Sequence, residues 1–251
     1  MLKSMEGSFS PPAREKTSNT MKHLLEAARI ALGMILSGDG AVYAITLRTV
    51  LIALTSTLAA SVLFIPLGCL VHFTRFKGKR AVSGFIQTMY SVPTVFVGML
   101  VFLMLSRSGP MGSMGLLFSP AAIVMGEVLL IAPVITGLTL SALSGTREGL
   151  ADTSRTLGAS RGRTILLVLS EARYAVLTAV LMGFGRAVSE VGVAIMVGGN
   201  ISGYTRTLTT AISLGIGKGE TTESIALGII LLLVAMTVSI AVNLIQQGRV
   251  R

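Results

Sequence analysis

The chain has 251 residues, of which 52% are hydrophobic and only 13% charged, a balance far from that of a water-soluble domain. Its net charge of +10 lies in short clusters between long apolar runs, and aromatic residues make up only 5%, which is not the pattern of a nucleic-acid-binding surface. One cysteine, Cys69, and two histidines, His23 and His72, are too few for a disulfide framework or a Cys/His metal cluster. Composition therefore predicts an all-α, polytopic membrane protein.

The N-terminal region divides into a polar tail and a short amphipathic segment. Residues 1–20 contain Pro11 and Pro12 and no apolar run, so we expect a disordered tail and not a cleaved signal peptide. In residues 21–40, the apolar stretch at 24–37 is too short to cross a bilayer, and its apolar and polar side chains fall on opposite faces of a helix. This predicts an amphipathic helix in the membrane interface, with a helix packed on the protein itself as the alternative.

Five apolar segments are long enough to cross the hydrocarbon layer, which needs roughly 20 helical residues. They are residues 49–73, 82–105, 117–143, 174–197 and 224–245. We therefore predict a transmembrane domain at 41–246 and a short cytoplasmic tail at 247–251. Kinks are expected inside the spans at Pro66, Pro93 and Pro133.

Loop charge predicts the orientation. The loops after the first and third spans and the C-terminal tail hold most of the loop arginines and lysines, including Arg75 and Arg161. The opposite loops hold only Arg107, Arg206 and Lys218. Because basic loops stay in the cytoplasm, the N-terminus is predicted outside and the C-terminus inside.

The loop at residues 144–173 is too patterned for a simple turn. Thr146 is placed to cap a first helix, Gly158 to end it in a left-handed conformation, and a second helix is predicted to start near Ser160. The basic side chain of Arg155 gives the loop a surface suited to docking a soluble partner. An ordinary amphipathic loop is the alternative interpretation.

The same loop carries a recognisable motif. Three residues separate an acidic residue and two small residues, at positions 152–154, from Gly158, and nine residues separate Gly158 from the apolar Val168. This resembles the cytoplasmic loop of ABC importer permeases, although Thr and Ser replace the usual Ala and Ser170 and Glu171 replace a Leu-Pro pair. The resemblance implies a loop that couples the chain to a separate ATPase through Asp152, Thr153, Ser154, Arg155, Gly158, Ala159 and Ser160.

A second pattern lies along the fourth span and beyond it. Together with the run at 203–212 and the segment at 91–98, it resembles permeases of oxyanion importers, most of all the tungstate group, with molybdate and sulfate permeases as relatives. The resemblance covers about residues 24–245 and implies the type I importer permease fold. The translocation-pathway or gate candidates are Arg186, Glu190, Gly192, Gly198, Gly199 and Asn200.

Charged residues inside the spans support part of this interpretation independently. Arg186 and Glu190 are one helical turn apart, so they can pair, and such charges are costly unless they face a bundle interior or an aqueous path. A structural ion pair is the alternative to a pathway role. Glu127 has no partner in sequence; it either stays protonated or meets Arg48 across the bundle.

The glycines and threonines of the second pattern allow two interpretations each. The glycines let helices approach closely or break near a gate, but packing alone explains most glycines in a bundle. Hydroxyls after the fourth span, together with Arg206, can bind a tetrahedral oxyanion or meet a delivering protein, or they can simply be polar. These hydroxyls belong to Thr205, Thr207, Thr209 and Thr210.

The resemblance implies the permease subunit of an ATP-driven inner-membrane importer for a tetrahedral oxyanion, most like tungstate. It implies as partners ATPase subunits, an external binding protein and a second permease copy. The chain has no Gly-x-x-x-x-Gly-Lys-Ser/Thr loop, so we expect no enzyme activity and no bound cofactor, with ATP used by the partner ATPase. The alternatives are a molybdate or sulfate permease, an ATP-independent transporter or channel, and a membrane-embedded enzyme.

Overall fold

The structure, a computed structural model, describes residues 13–146 and 149–247. These residues form eleven α-helices and no strand, which confirms the all-α prediction for the described part of the chain. The helices are α1 Ala13–Leu36, α2 Gly40–Phe73, α3 Lys79–Thr88, α4 Thr94–Leu105, α5 Pro120–Ser144, α6 Leu150–Thr156, α7 Arg161–Glu171, α8 Arg173–Val188, α9 Gly192–Gly198, α10 Leu208–Lys218 and α11 Thr221–Gln247.

Three helices are long and apolar enough to cross a membrane by themselves: α2, α5 and the Thr221–Val242 part of α11. Two bent pairs bring the number to as many as five if each pair forms one span. The pair of α3 and α4, joined by a 3-10 turn at Met89–Ser91, bends by 95°, and the pair of α7 and α8 bends by 70°. The described residues therefore contain three to five candidate spans, a range that includes the predicted five, and the second predicted span is sharply bent beside Pro93, whose ring cannot continue a helix.

Helix α5 lies at the centre of the bundle. Of its most apolar stretch, 56% is buried, against 28% for α2 and 11% for α11. Small residues let its neighbours approach: a Cβ atom added at Gly126 would overlap Val193 of α9, and one at Gly137 would overlap the Tyr90 hydroxyl. The side chains that fill the centre include Ile123, Ile131 and Ile135, which are fully buried.

Helix α1 packs against α11 and the start of α2. Ala27 and Ala31 are buried, and the Tyr43 hydroxyl of α2 donates to the Ile35 carbonyl at 2.8 Å. Helix α1 therefore packs on the protein itself, as the alternative interpretation predicted. Leu25 and Leu36 stay exposed, and the location of α1 in the membrane interface is still a prediction. Of the predicted disordered tail, residues 1–12 lie outside the described residues, whereas 13–20 belong to α1.

The two ends of α2 mark the two ends of the molecule. Near its start, the Arg48 guanidinium donates to the carbonyls of Gly203 at 2.7 Å and of Arg206 at 3.0 Å. Near its end, Cys69 packs in one cluster with Val168 of α7. The stretch of helix between these contacts is about 30 Å long, comparable to the hydrocarbon layer. The segments that follow α9 and α5 therefore lie at opposite ends.

Candidate functional site

The loop predicted at 144–173 folds as two helices, α6 and α7. Thr146 does not cap α6: its hydroxyl donates to the Leu143 carbonyl at 2.8 Å, and α6 begins after Gly149, which has φ of +82°. The prediction of Thr146 as the cap is therefore wrong, because a left-handed glycine three residues later starts the helix. We call residues 149–171 the α6–α7 hairpin.

The turn of the hairpin follows the predicted pattern. Gly158 has φ of +80°, its N–H donates to the Arg155 carbonyl at 2.9 Å, and the Ala159 N–H donates to the Ser154 carbonyl at 3.0 Å. A Cβ atom at Gly158 would meet no atom within 4 Å, so the backbone conformation and not lack of space calls for glycine. Ser160 caps α7, its hydroxyl accepting from the Arg163 N–H at 3.4 Å.

Two buried contacts hold the hairpin together and attach it to the spans. The Ser154 hydroxyl donates to the Thr164 hydroxyl at 3.0 Å, and both side chains are buried. Val168, only 2% exposed, packs into a cluster contributed by three transmembrane helices. Its buried partners are Cys69 of α2, Leu143 of α5, and Val176 of α8. A displacement of the hairpin therefore acts on α2, α5 and α8 together.

The tip of the hairpin is open to its surroundings. Leu157 is 82% exposed, beside the exposed Gly158. Arg155 lies 3.7 Å from the Asp152 carboxylate, but both side chains are exposed and such a pair contributes little stability. Of the seven predicted coupling residues, Ser154 alone is buried; the exposed or half-buried ones are Asp152, Thr153, Arg155, Gly158, Ala159 and Ser160.

The predicted fourth span is interrupted. Helix α8 ends at Val188 and α9 starts at Gly192, so Arg186 and Glu190 do not share one continuous helix. The buried Glu190 carboxylate instead accepts the Val193 N–H at 2.9 Å, at the start of α9. Within residues 13–146 and 149–247 no ion pair joins Arg186 and Glu190, and the prediction of that pair is wrong because the chain leaves the helix between them.

Glu127 of α5 lies close to this interruption. It is 3% exposed, and its neighbours are the Ser56 hydroxyl of α2 and the Glu190 carboxylate. Its Oε2 atom has no hydrogen-bond partner in the described part of the chain. The predicted alternative of a Glu127–Arg48 contact is not formed. Arg48, near the start of α2, instead binds the carbonyls of Gly203 and Arg206.

The two interrupted spans meet each other. A Cβ atom at Gly192, the first residue of α9, would lie 2.9 Å from the Thr94 hydroxyl, at the first residue of α4, and 3.3 Å from Val95. At Gly98 it would lie 3.2 Å from the Val193 Cα. Glycine at these positions therefore lets the starts of α4 and α9 touch. Helices broken inside a membrane direct backbone groups to a pathway in many transporters.

Residues 199–210, the segment after α9 together with the first three residues of α10, form a compact unit that we call the threonine loop. Gly199 and Asn200 have φ of +69° and +49°, and a Cβ atom at Gly198 would lie 2.6 Å from Ile123 of α5. The Asn200 side chain accepts from Arg206 Nε at 3.1 Å and donates to the Thr210 carbonyl at 3.3 Å. These predicted gate residues thus fix the shape of the loop.

The threonine hydroxyls of this loop bind the protein itself. Thr205 donates to the Gly198 carbonyl at 2.6 Å, and Thr209 donates to the Glu190 carbonyl at 2.8 Å. Thr207 and Thr210 cap α10 reciprocally. All four threonine side chains are buried, so the predicted direct contact with an oxyanion does not fit. The exposed side chains of the loop, which remain available to a delivering protein, include Ile201 and Tyr204.

The sequence did not indicate a linking role for Thr49, nor the internal bond that Thr209 makes. The Thr49 hydroxyl of α2 accepts the Leu208 N–H of α10 at 2.9 Å, and the bond from Thr209 to Glu190 connects α10 to the α8–α9 interruption. A threonine inside an apolar run carries no signal that separates a cross-helix bond from a bond to its own helix. The run from Thr205 to Thr210 was visible, but its pattern indicated a polar surface.

Comparisons with known proteins match this arrangement. The family model described as "Binding-protein-dependent transport system inner membrane component" matches residues 64–251. The Tungstate uptake system permease protein TupB of Peptoclostridium acidaminophilum is 35% identical over 90% of this chain and 100% of its own. A probable anion ABC transporter permease protein of Haloferax volcanii is 40% identical over 78% of this chain and 86% of its own.

The fold is that of a solved transporter. A chain of the inward-facing MetNI methionine ABC transporter superposes with a TM-score of 0.66 at 22% identity, covering 86% of this chain and 97% of that one. This confirms the predicted type I importer permease fold. The chain belongs to the family of binding-protein-dependent transport system inner membrane components.

Proposed function

We propose that the chain is the permease subunit of an ATP-driven importer for a tetrahedral oxyanion, with tungstate as the preferred substrate. The α6–α7 hairpin carries the proposal: it exposes an apolar and basic tip and is attached to three spans through Val168. The name of the full-length relative, a tungstate uptake system permease, supports the substrate. The chain itself performs no catalysis, binds no cofactor and depends on a separate ATPase.

In this proposal the hairpin tip docks on the ATPase. Leu157 is the exposed apolar side chain at the turn, where a buried contact with a partner contributes most. When the ATPase closes, the hairpin moves as one body because Ser154 and Thr164 join its two helices. Val168 passes that movement to α2, α5 and α8, and the permease changes between inward-open and outward-open states.

The anion pathway runs beside the meeting point of α4 and α9. The Oε1 atom of Glu190 accepts the Val193 N–H there, which holds this carboxylate at the start of α9. Arg186, half-buried on the last turn of α8, has no carboxylate within 4 Å among the described residues, and it supplies the positive charge that a dianion needs. Arg186 is therefore the pathway residue that we favour, with Gly192 allowing the helices to meet.

The assembly and its orientation are part of the same proposal. Helix α11 is the least buried span, with exposed apolar side chains that include Leu232, Leu233 and Met236, so it faces lipid or a second permease copy. Two copies would enclose the pathway between them. The hairpin and the C-terminus face the cytoplasm, and the threonine loop faces outward, where a binding protein delivers the anion.

The proposal is tested by reconstituting the chain in liposomes with its ATPase and binding protein. Uptake of radiolabelled tungstate, molybdate and sulfate is measured with and without ATP. We expect saturable tungstate uptake that requires ATP, the ATPase and the binding protein, with molybdate second. Anion flux that persists without the ATPase would identify a channel or secondary transporter, and a preference for sulfate would refute the substrate assignment.

A further inference from the structure

An open cavity of about 620 Å³ lies between the end of α2 and the α6–α7 hairpin. Of its lining residues, only Arg155 belongs to the predicted ATPase-coupling residues. Three arginines from three different elements line it: Arg75 from the segment after α2, Arg155 from α6 and Arg161 from the start of α7. The apolar part of its wall includes Leu70 and Ile165. The cavity is therefore amphipathic, with guanidinium groups beside a hydrocarbon surface.

Among the residues that the structure describes, one of the three arginines of the cavity has a carboxylate partner. Asp152 lies 3.7 Å from Arg155 at the surface. Arg75 and Arg161 have no carboxylate within 4 Å in the described ranges 13–146 and 149–247. A concave site with two unpaired guanidinium groups favours a phosphate or another oxyanion, which guanidinium binds through two parallel hydrogen bonds.

An exposed apolar face of α2 leads into the cavity. Its leucines repeat at positions i, i+4 and i+7 along the turns of the helix next to the cavity and remain exposed in the fold. They are Leu63, Leu67 and Leu70, and the last of them lines the cavity itself. A free inorganic anion makes no use of such a face, whereas a phospholipid has acyl chains for the leucines and a phosphate for the arginines.

We propose that this cavity binds the headgroup of an anionic phospholipid from the leaflet that faces the hairpin. The acyl chains lie along the exposed leucines of α2, and the phosphate bridges Arg75 and Arg161. Basic pockets beside transmembrane helices at the cytoplasmic surface bind acidic headgroups in this way. The lipid would tie the end of α2 to α7 and hold the hairpin at the membrane surface. The cytoplasmic identity of that leaflet rests on the proposed function.

The test measures lipid binding by the purified full-length chain without ATPase or binding protein. Native mass spectrometry in detergent quantifies retention of phosphatidylglycerol and, in parallel, phosphatidylcholine. We expect selective phosphatidylglycerol binding that weakens about fivefold for each guanidinium removed, in Arg75→Gln and Arg161→Gln. Arg163→Gln is the matched control, since Arg163 is exposed on the same helix but does not line the cavity. Arg75→Lys should retain most of the binding.

Several results would overturn the proposal. Equal retention of phosphatidylglycerol by all variants would show that the cavity is not the site, and equal retention of phosphatidylcholine would show that charge plays no part. Displacement of phosphatidylglycerol by equimolar inorganic phosphate or tungstate would identify a site for the free anion. Because transport is not measured, a failed uptake experiment refutes the proposed function and leaves this result unchanged.

Discussion

The threonine loop and the α6–α7 hairpin lie at opposite ends of α2 and are built in opposite ways. In the loop, the buried hydroxyls of Thr205 and Thr209 donate to carbonyls of the same chain. The two helices of the hairpin are joined by one hydroxyl pair, Val168 attaches the hairpin to the spans, and its tip at Leu157 is 82% exposed. The polar groups of the threonine loop are thus hydrogen-bonded within the chain, whereas the hairpin exposes an apolar side chain at its tip.

This difference indicates where each end depends on a partner. Each satisfied hydrogen bond contributes about 1 kcal/mol, and an orphaned buried group costs about 1–3 kcal/mol, so the threonine loop keeps its shape without help. The exposed Leu157 contributes nothing to folding until another surface covers it. Substitutions in the loop should therefore change stability, and substitutions of the exposed Leu157 side chain should change only coupling.

The largest effect is expected from Leu157→Asp. A carboxylate at the centre of the docking contact should reduce ATP-driven uptake roughly 100-fold, as substitutions at the centre of an interface do. The melting temperature of the permease should not change, because Leu157 is exposed. Uptake in liposomes and binding of the purified ATPase provide the readouts. Leu157→Met is the control and should remain active; full activity of Leu157→Asp would contradict docking at this tip.

Arg186→Gln should have the next largest effect on transport. Loss of a charge-assisted contact to the dianion costs about 1.5–3 kcal/mol, which is roughly 30-fold in uptake. Arg186→Lys should retain more activity, and Arg107→Gln, in an exposed loop, should behave like the parent. Basal ATPase activity separates lost coupling from lost anion passage. A parent-like rate for Arg186→Gln would remove Arg186 from the pathway.

Thr209→Val tests the internal bonding of the threonine loop. Valine keeps the shape but removes the donor to the Glu190 carbonyl, so the free energy of unfolding should fall by about 1–3 kcal/mol. Thr237→Val is the matched control, because the Thr237 hydroxyl also donates to a carbonyl, that of Leu233, but is exposed; a change within about 0.5 kcal/mol is expected there. Thermal unfolding in detergent measures both. Equal stability of the two variants would show that the buried bond does not hold the loop.

The smallest effect should follow Gly158→Ala. Alanine in a left-handed conformation costs about 1 kcal/mol, and nothing surrounds the position that a Cβ atom would occupy. Gly162→Ala, inside α7 with open space around it, should instead be neutral or stabilising by up to about 1 kcal/mol. Hydrogen exchange of the amides in residues 150–160 compares them. If these amides are equally protected in both variants, the left-handed conformation of residue 158 does not determine the stability of the hairpin.

Much of the hairpin was predictable because its signals are local. Gly158 and Ser160 act through their own backbone geometry, so spacing alone placed the turn and the start of α7. Thr146 was wrongly predicted as the cap of α6 because Gly149 can also start the helix, and composition does not decide between the two positions. The five apolar segments were likewise visible from composition, since lipid imposes length and hydropathy on each span.

The interruption of the fourth span was not predictable from its apolar pattern. Residues 189–191 are Ser, Glu and Val, an interruption too short to divide the apolar segment at 174–197, and the tertiary contacts of Glu190 and Gly192 show why the helix stops and restarts. The ion pair of Arg186 and Glu190 was inferred from helical spacing, which holds only if the helix is continuous. Cross-helix bonds such as that from Leu208 to Thr49 depend on topology and leave no local trace.

Labelling the two ends from each side of the membrane tests the central claim most directly. In a Cys69→Ala background, Leu157→Cys and Tyr204→Cys each provide one exposed thiol. The variants are produced without the ATPase, so that no docked subunit covers residue 157, and a membrane-impermeant maleimide is applied to intact cells and to inside-out vesicles. We predict that Tyr204→Cys reacts only in intact cells and Leu157→Cys only in inside-out vesicles. Reaction of both thiols from the same side would contradict a permease whose hairpin and threonine loop work on opposite faces of the membrane.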